Sequence, residues 1–393
     1  MAKQTPAQRL TGDDLTTWVM QQLQAAFPLP EGRKWQPQDY WRPVVAAAAE
    51  CSTIHDVSEH LKHQPAESWL WEVLDRCLDA YAQKPQELEG KLNALLWQGI
   101  PACVQGKERI AAVDFQDIPT YRADAEECPY VRRRKPKDGT SWFYVVLTAF
   151  IIRGHYRITV AMTWWKRDET LFDAFQRLQG YLKAVGLQVE GFLLDKEFYQ
   201  IDVLTQLQQE AYRVILPAEV RSQEMKALLQ GKDSVQTAYT LRSEQGRVTV
   251  SVVITSPKKR RKRKKRKKGK SRRVAYVVLG QWKLTHTGIA SLYRSRFGIE
   301  TSHRQTNQAK NGTTTPRWWA RPLFWALATW LRNIWRLVRV HIAARQGSRQ
   351  ARRWTLRRML RSIQVASLHC PDWLANVNIR APTTLVSPAT ENY

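Results

Sequence analysis

An α/β fold preceded by a helical domain is what this 393-residue sequence predicts, and three observations predict it. Apolar residues recur at helical intervals through residues 12–105. From residue 108 the pattern turns to short β-rich runs, and further on strand and helix signals alternate. With 43% hydrophobic residues the chain can bury a large core, and its length suits two or three domains.

The helical part, residues 1–105, shows apolar spacing in Leu15–Phe27, Trp69–Leu78 and Leu88–Leu96, broken by Pro28, Pro30, Pro65 and Pro85. Within it, TIHDVSEHLKHQPAESWLWEVLDRCL reads as helix, short turn, helix. A helix-turn-helix would lay Glu67–Leu78 in a major groove. That segment carries Glu67, Glu72 and Asp75 and few cations, so an ordinary helical hairpin remains the other reading.

Arg109–Ile118, Ser141–Ile152 and Tyr156–Trp165 read as three consecutive strands, the last two joined by Arg153-Gly154-His155. Residues 168–186 follow as an amphipathic helix with Leu171, Phe175, Leu178 and Leu182 on one face. Gln188–Leu194 returns to strand, Ile201–Ala211 to helix and Arg213–Pro217 to strand. The order β-β-β-α-β-α-β, completed by a later helix, is that of a ribonuclease-H-like core, expected over 106–218 and 283–345. Residues 219–282 interrupt it as a β-rich insertion, with weaker strands at Val235–Arg242, Val248–Ile254 and Val274–Leu279, and 346–393 form a basic C-terminal helix and tail.

Charge narrows the partners. Lys+Arg number 62 against 35 Asp+Glu, a formal net charge of +27, which calls for a polyanion. The run Lys258–Lys268 supplies 11 of these charges, and 27 − 11 = +16 remains without it. So many like charges cannot pack together, and the tract is expected at a hairpin tip, either tracking phosphates or simply solvated. No stretch reaches the roughly 18–20 apolar residues of a bilayer span, and MAKQTPAQRLTGDD lacks the apolar core of a secretory signal. The expectation is no membrane and a cytoplasmic location. Five scattered cysteines without a CxxC pair suit reduced thiols. Cys51, His55, His60 and His63 fit no familiar zinc spacing and read as surface and packing residues.

Three acids stand out. Asp114, in ERIAAVDFQDIPTY, and Asp195, in VEGFLLDKEFYQ, each follow an apolar strand run directly. In this order of elements the two strands lie side by side, so their carboxylates converge. Burying both is costly unless a cation compensates them, and Mg²⁺ suits oxygen ligands with open positions for water and phosphate. A third acid, Glu300, sits in SLYRSRFGIETSHRQTNQAK, where Tyr293, Arg296, Glu300, Arg304 and Asn307 share one face of a single helix. Such a face can bind metal while its arginines hold phosphates; an exposed salt-bridged helix is the other reading. Asp117 is expected on the opposite side of its strand. Glu197 remains a further acid beside Asp195, and Asp124, Glu126 and Glu127 read as a solvated loop.

These residues carry a resemblance. YRSRFGIE has the Y-x2-R-x3-E spacing of the DDE transposases of bacterial insertion sequences with a Y-R-E-K signature, and AVDFQDIP and FLLDKEFY resemble the contexts of that family's two catalytic aspartates. The likeness covers roughly residues 105–345. It implies a ribonuclease-H-like fold with a β-rich insertion before the glutamate helix, and Asp114, Asp195 and Glu300 as metal ligands and catalytic residues. It further implies two Mg²⁺ ions, with Mn²⁺ able to substitute, cut-and-paste action on transposon ends and target DNA, and a homodimer on paired ends. Tyr293, Arg296, Arg304 and Lys310 would touch DNA in a bacterial, nucleoid-associated protein. Where the signature has lysine this chain has Asn307, with Lys310 one turn further on. A ribonuclease-H-fold nuclease without strand transfer, or a decayed transposase that only binds DNA, are the rival readings.

Downstream, Leu323–Ile342 reads as a Trp-rich helix whose Trp325, Leu327, Trp330, Leu331, Ile334 and Leu337 belong to a core. Arg332, Arg336 and Arg339 share a face that could line a DNA path. SRQARRWTLRRMLRSI reads as a basic amphipathic helix, open to DNA contact or to solvent.

Overall fold

The computed structural model describes residues 11–368 apart from 83, 102–103, 105–108, 153–156, 232, 245 and 256–272. The basic run 258–268, the 153–155 turn, the tail beyond Leu368, Cys103 and Cys370 lie outside the described residues. In chain order the elements are α1 (Gly12–Ala26), α2 (Pro37–Glu50), α3 (Ile54–Ser58), α4 (Glu67–Leu78), α5 (Pro85–Trp97), β1 (Arg109–Pro119), β2 (Val131–Lys137), β3 (Thr140–Ile151) and β4 (Thr159–Trp164). Then come α6 (Leu171–Ala184), β5 (Val189–Leu193), α7 (Ile201–Gln209), β6 (Val214–Pro217), α8 (Gln223–Leu228), β7 (Val235–Ser243), β8 (Gly246–Thr255) and β9 (Val274–Leu279). The last are α9 (His286–Arg294), α10 (Phe297–Thr306), α11 (Ala320–Gln346), α12 (Ser348–Arg353) and α13 (Leu356–Leu368). The protein is α/β, with a mixed sheet and many helices.

Two compact units divide the chain. The first takes Met1–Val104, Ile118–Tyr144 and Ser302–Tyr393. Two of its helices begin where short polar side chains satisfy the free N–H groups: Thr11 and Asp14 box the start of α1, and Thr53 and Asp56 that of α3. The Trp-rich α11 is core. Trp325, Trp330, Leu331 and Ile334 are buried, and Trp330 lies 5.4 Å from Trp18. Arg332, expected on a DNA-facing stripe, is instead buried and donates to Gln305 at 3.3 Å. Arg339 packs over Trp335 and donates to the Ala351 carbonyl, so this face of α11 is occupied by α12. Where α11 is packed on nearly every side, Arg332 has no bare flank left to it.

The second unit takes Gln105–Asp117 and Val145–Thr301. Its strands run in the order β4-β3-β1-β5-β6-β9-β8-β7. β1, β5 and β6 pair in parallel through the crossovers that α6 and α7 make possible; β4 with β3, and each of β9, β8 and β7 with its predecessor, pair antiparallel. The β-rich insertion joins the same sheet, because β9 covers the edge that β6 would otherwise leave unpaired.

Period-two alternation gives the sheet two apolar faces. On one, Ile110, Ala112, Phe150, Leu193, Ile215 and Val278 pack with Ile289, Ala290, Tyr293 and Ile299 of α9 and α10. On the other, Phe175 of α6 meets Phe192 edge-on at 4.9 Å and Tyr212 at 5.3 Å, and Phe198 bridges to Phe115 at 5.6 Å. Burial of this order, at about 25 cal/mol per Å² of apolar surface, is what holds α9 and α10 to the sheet.

Candidate active site

The site starts from register. β1 and β5 pair in parallel with Ala112 opposite Leu193. Two residues further along each chain stand Asp114 and Asp195. A step of two keeps a side chain on its own face, so both carboxylates leave the sheet on the side occupied by α9 and α10. Asp117 differs from Asp114 by three, an odd step that assigns it to the other face of the strand.

Each aspartate is fixed locally. Asp114 Oδ1 accepts from the Phe115 N–H at 3.0 Å, and the Asp114 carbonyl accepts from Thr148 Oγ1 at 3.2 Å. Asp195 caps a short 3₁₀ turn over Lys196–Phe198, its Oδ1 accepting from the Lys196 N–H at 2.6 Å. Just before it, the Leu194 carbonyl accepts from the phenol of Tyr293 at 3.1 Å. Tyr293 is itself packed against Tyr276, 5.0 Å between ring centroids.

Arg296 joins the two. Its Nη2 lies 2.7 Å from Asp114 Oδ1 and 3.5 Å from Asp195 Oδ2. It is 7% exposed and its guanidinium stands 6.0 Å from the Tyr293 ring. One cation between two carboxylates leaves a negative balance. Burial therefore pushes the Asp114 carboxyl up to about 6; Arg296 opposes that rise, while Asp195 and Glu300 add to it. Burial alone would lower the Arg296 guanidinium, but Asp114, Tyr293 and Asp195 outweigh it and hold the group above its ordinary value. Burial likewise drives the Tyr293 phenol up, keeping it a neutral hydrogen-bond donor.

The remaining sequence-derived positions are placed differently. The single helix expected to carry Tyr293, Arg296 and Glu300 on one face is broken by a turn at Ser295–Arg296, between α9 and α10. The break lets Tyr293 and Arg296 turn into the sheet while Glu300 stays exposed in the first turn of α10. The break coincides with the buried contacts of Arg296 to Asp114 and Asp195. Glu300 still lies within electrostatic reach of Asp114. Among the described residues no three His, Cys, Asp or Glu side chains gather closely enough to form a metal cage.

In the first unit, Arg304 is exposed and Lys310 is half-buried, its ammonium pushed below the ordinary lysine value by burial and by Arg321. Asn307 is exposed, and its carbonyl faces Cys51 Sγ at 3.3 Å. His55 pairs with Glu67 at 2.8 Å and His60 with Glu50 at 3.3 Å. Asp75 of α4 is engaged by Arg317 at 2.6 Å and by the Trp319 indole at 3.2 Å. Sequence reasoning placed Arg296 on a DNA-facing surface and missed its role as the internal counter-ion. The signal was there: two acids at paired strand ends need a buried cation.

No family model matches the chain, and no curated protein matches it. The structure is similar to the cryo-EM structure of a piggyBac transposase synaptic complex with hairpin DNA, with a TM-score of 0.53, 13% sequence identity, and coverage of 92% of this chain and 78% of that chain. The likeness is one of fold. Among the described residues no helix is long and apolar enough to cross a membrane.

Proposed function

We propose that this protein is a DDE transposase of the insertion-sequence group with the Y-R-E-K signature, cleaving DNA at transposon ends and joining it to target DNA. Its core is then ribonuclease-H-like. The strand order β4-β3-β1-β5-β6, with β1, β5 and β6 parallel, supports that assignment. The observation that carries the functional reading is the register of β1 and β5, which sets Asp114 and Asp195 on one face within reach of a single guanidinium.

The donor set suits a hard divalent cation. Asp114 and Asp195 offer carboxylate oxygens alone, and burial, with Asp195 and Glu300 adding to it, raises the Asp114 carboxyl more than Arg296 lowers it, so a further cation would be favoured there. Those two would hold Mg²⁺, with Mn²⁺ able to substitute, and Glu300 would join them. What divalent ions supply in such a site is a lowered pKa for attacking water or 3′-hydroxyl and stabilisation of the leaving oxygen. Tyr293 holds the Leu194 carbonyl and so the position of Asp195; Arg296 keeps the two carboxylates from repelling each other. Arg304 and Lys310 are the signature-segment cations that remain for phosphate, and pairing of two protomers on two DNA ends completes the reading.

Cleavage of a duplex carrying the element's own termini, with Mg²⁺, tests it. Asp195→Ala should abolish cutting while leaving DNA binding intact. Undiminished cutting would refute the assignment, and cutting without joining in a strand-transfer assay would make the protein a nuclease of the same fold.

A further inference from the structure

The first unit carries a second feature that the carboxylate site does not use. From Thr301 to His369 the sequence contains no Asp or Glu, and towards its end lies an arginine-rich stretch. On α12 and α13, Arg349, Arg352, Arg353, Arg357, Arg358 and Arg361 are all exposed. None has a carboxylate partner among the described residues. The opposite face of α13, Leu356, Met359, Leu360 and Ile363, is buried against α1 and α2. The packing is tight. A Cβ on Gly12 of α1 would stand 2.6 Å from the Ser362 carbonyl.

The arrangement is thus held firmly by its apolar side while its arginines point outward on a fixed support. Trp354, half-buried between the two helices, adds to this: its carbonyl accepts from the Trp335 indole at 2.8 Å, and Arg358 lies over its ring at 5.7 Å. The acids on the packed helices are mostly committed elsewhere. Asp14 closes the α1 cap and Asp39 the α2 cap; Asp13 remains in the first turn of α1.

Like charges three and four apart on a helix repel. Arg349 with Arg352 and Arg353, and Arg357 and Arg358 with Arg361, stand at those spacings, and no carboxylate paired with them among the described residues offsets the repulsion. A phosphate backbone offsets it. Arginine forks match phosphate oxygens two at a time, and a 13-residue helix spans about 20 Å, close to six base pairs of duplex.

We propose that the exposed arginine face of α12 and α13 is a docking surface for the phosphate backbone of duplex DNA, binding without regard to sequence. The choice of DNA as the polyanion rests on the transposase reading; the surface itself does not.

The test measures binding of two short duplexes of unrelated sequence to the full chain, in the Asp195→Asn background without divalent ions, across a salt series. Because nothing is cut, a failure of the catalytic reading leaves this measurement unaffected. Replacing Arg357, Arg358 and Arg361 by Gln should reduce the slope of log affinity against log salt by about 0.9 per lost phosphate contact, roughly 2.7 in all, equally for both duplexes. The corresponding Lys variant should retain most of the slope. If the triple variant does not fold, Arg361→Gln alone should lower the slope by about 0.9. An unchanged slope overturns the proposal, and so does an effect confined to one sequence. Loss of binding to vesicles of anionic lipid with DNA binding intact would assign the surface to a membrane instead.

Discussion

Arg296 donates to Asp114 at 2.7 Å, across 182 residues of chain, and the same nitrogen stands 3.5 Å from Asp195. A buried pair of this kind is dear to break from one side, because the partner left behind keeps its charge and loses its compensation.

Arg296→Ala should accordingly destabilise the metal-free protein by about 3–5 kcal/mol, read by chemical denaturation with a chelator present. Asp114→Asn combined with Arg296→Met should cost less than Arg296→Ala alone. A single variant within about 1 kcal/mol of the parent would mean that the bridge contributes little.

The pH dependence has an unusual sign. Burial outweighs the help of Arg296 and pushes the folded Asp114 carboxyl up to about 6, above the ordinary aspartate value of about 4. Between those two values the folded chain holds a proton that the unfolded chain has lost. Its contribution is therefore most favourable below about pH 4, declines as pH rises towards 6, and is flat above that, by at most about 3 kcal/mol. Denaturation of the parent relative to Asp114→Asn from pH 4 to 8 measures it. A relative gain with rising pH would mean that Arg296 dominates the site.

Divalent ions should stabilise the protein. Mg²⁺ at ten times its dissociation constant contributes about 1.4 kcal/mol, visible as a rise in Tm at pH 8. The rise should shrink at pH 5, where Asp114 is mostly protonated, and be lost in Asp195→Asn. An equal rise in parent and variant would place the ion elsewhere.

Gly191 sits in β5 two residues before Leu193, under Trp282. An added Cβ would meet the Trp282 ring at 2.4 Å and the Arg213 carbonyl at 3.2 Å. Gly191→Ala should lose about 1–3 kcal/mol, and Trp282→Leu should recover part of it. Full stability of the single variant would show that the ring moves aside freely.

Much of the sheet was legible because strands and helices leave different periods in the apolar pattern. Ile110, Ala112, Leu193 and Ile215 advertise a sheet face, and Leu171, Phe175, Leu178 and Leu182 a helix stripe, before any contact is known. The helix break at Ser295–Arg296 was not legible. YRSRFGIE satisfies a helical period throughout, and nothing within it announces the turn that brings Arg296 to Asp114. Arg332 failed for a related reason. Charge suggests exposure, whereas a side chain on a helix ringed by tryptophans goes where the packing leaves it.

By itself the sequence determined what is local: most of the strand and helix segments, though neither the strand Val131–Lys137 nor the break at Ser295–Arg296, which residues alternate onto one face, and that Asp114 and Asp195 follow apolar strand runs. Tertiary structure alone decided that β9 extends the sheet from β6 and that Arg296 rather than solvent faces the two carboxylates. The reason is physical. Periodicity is written into neighbours along the chain, but compensation of a buried charge depends on groups that folding brings together from far apart.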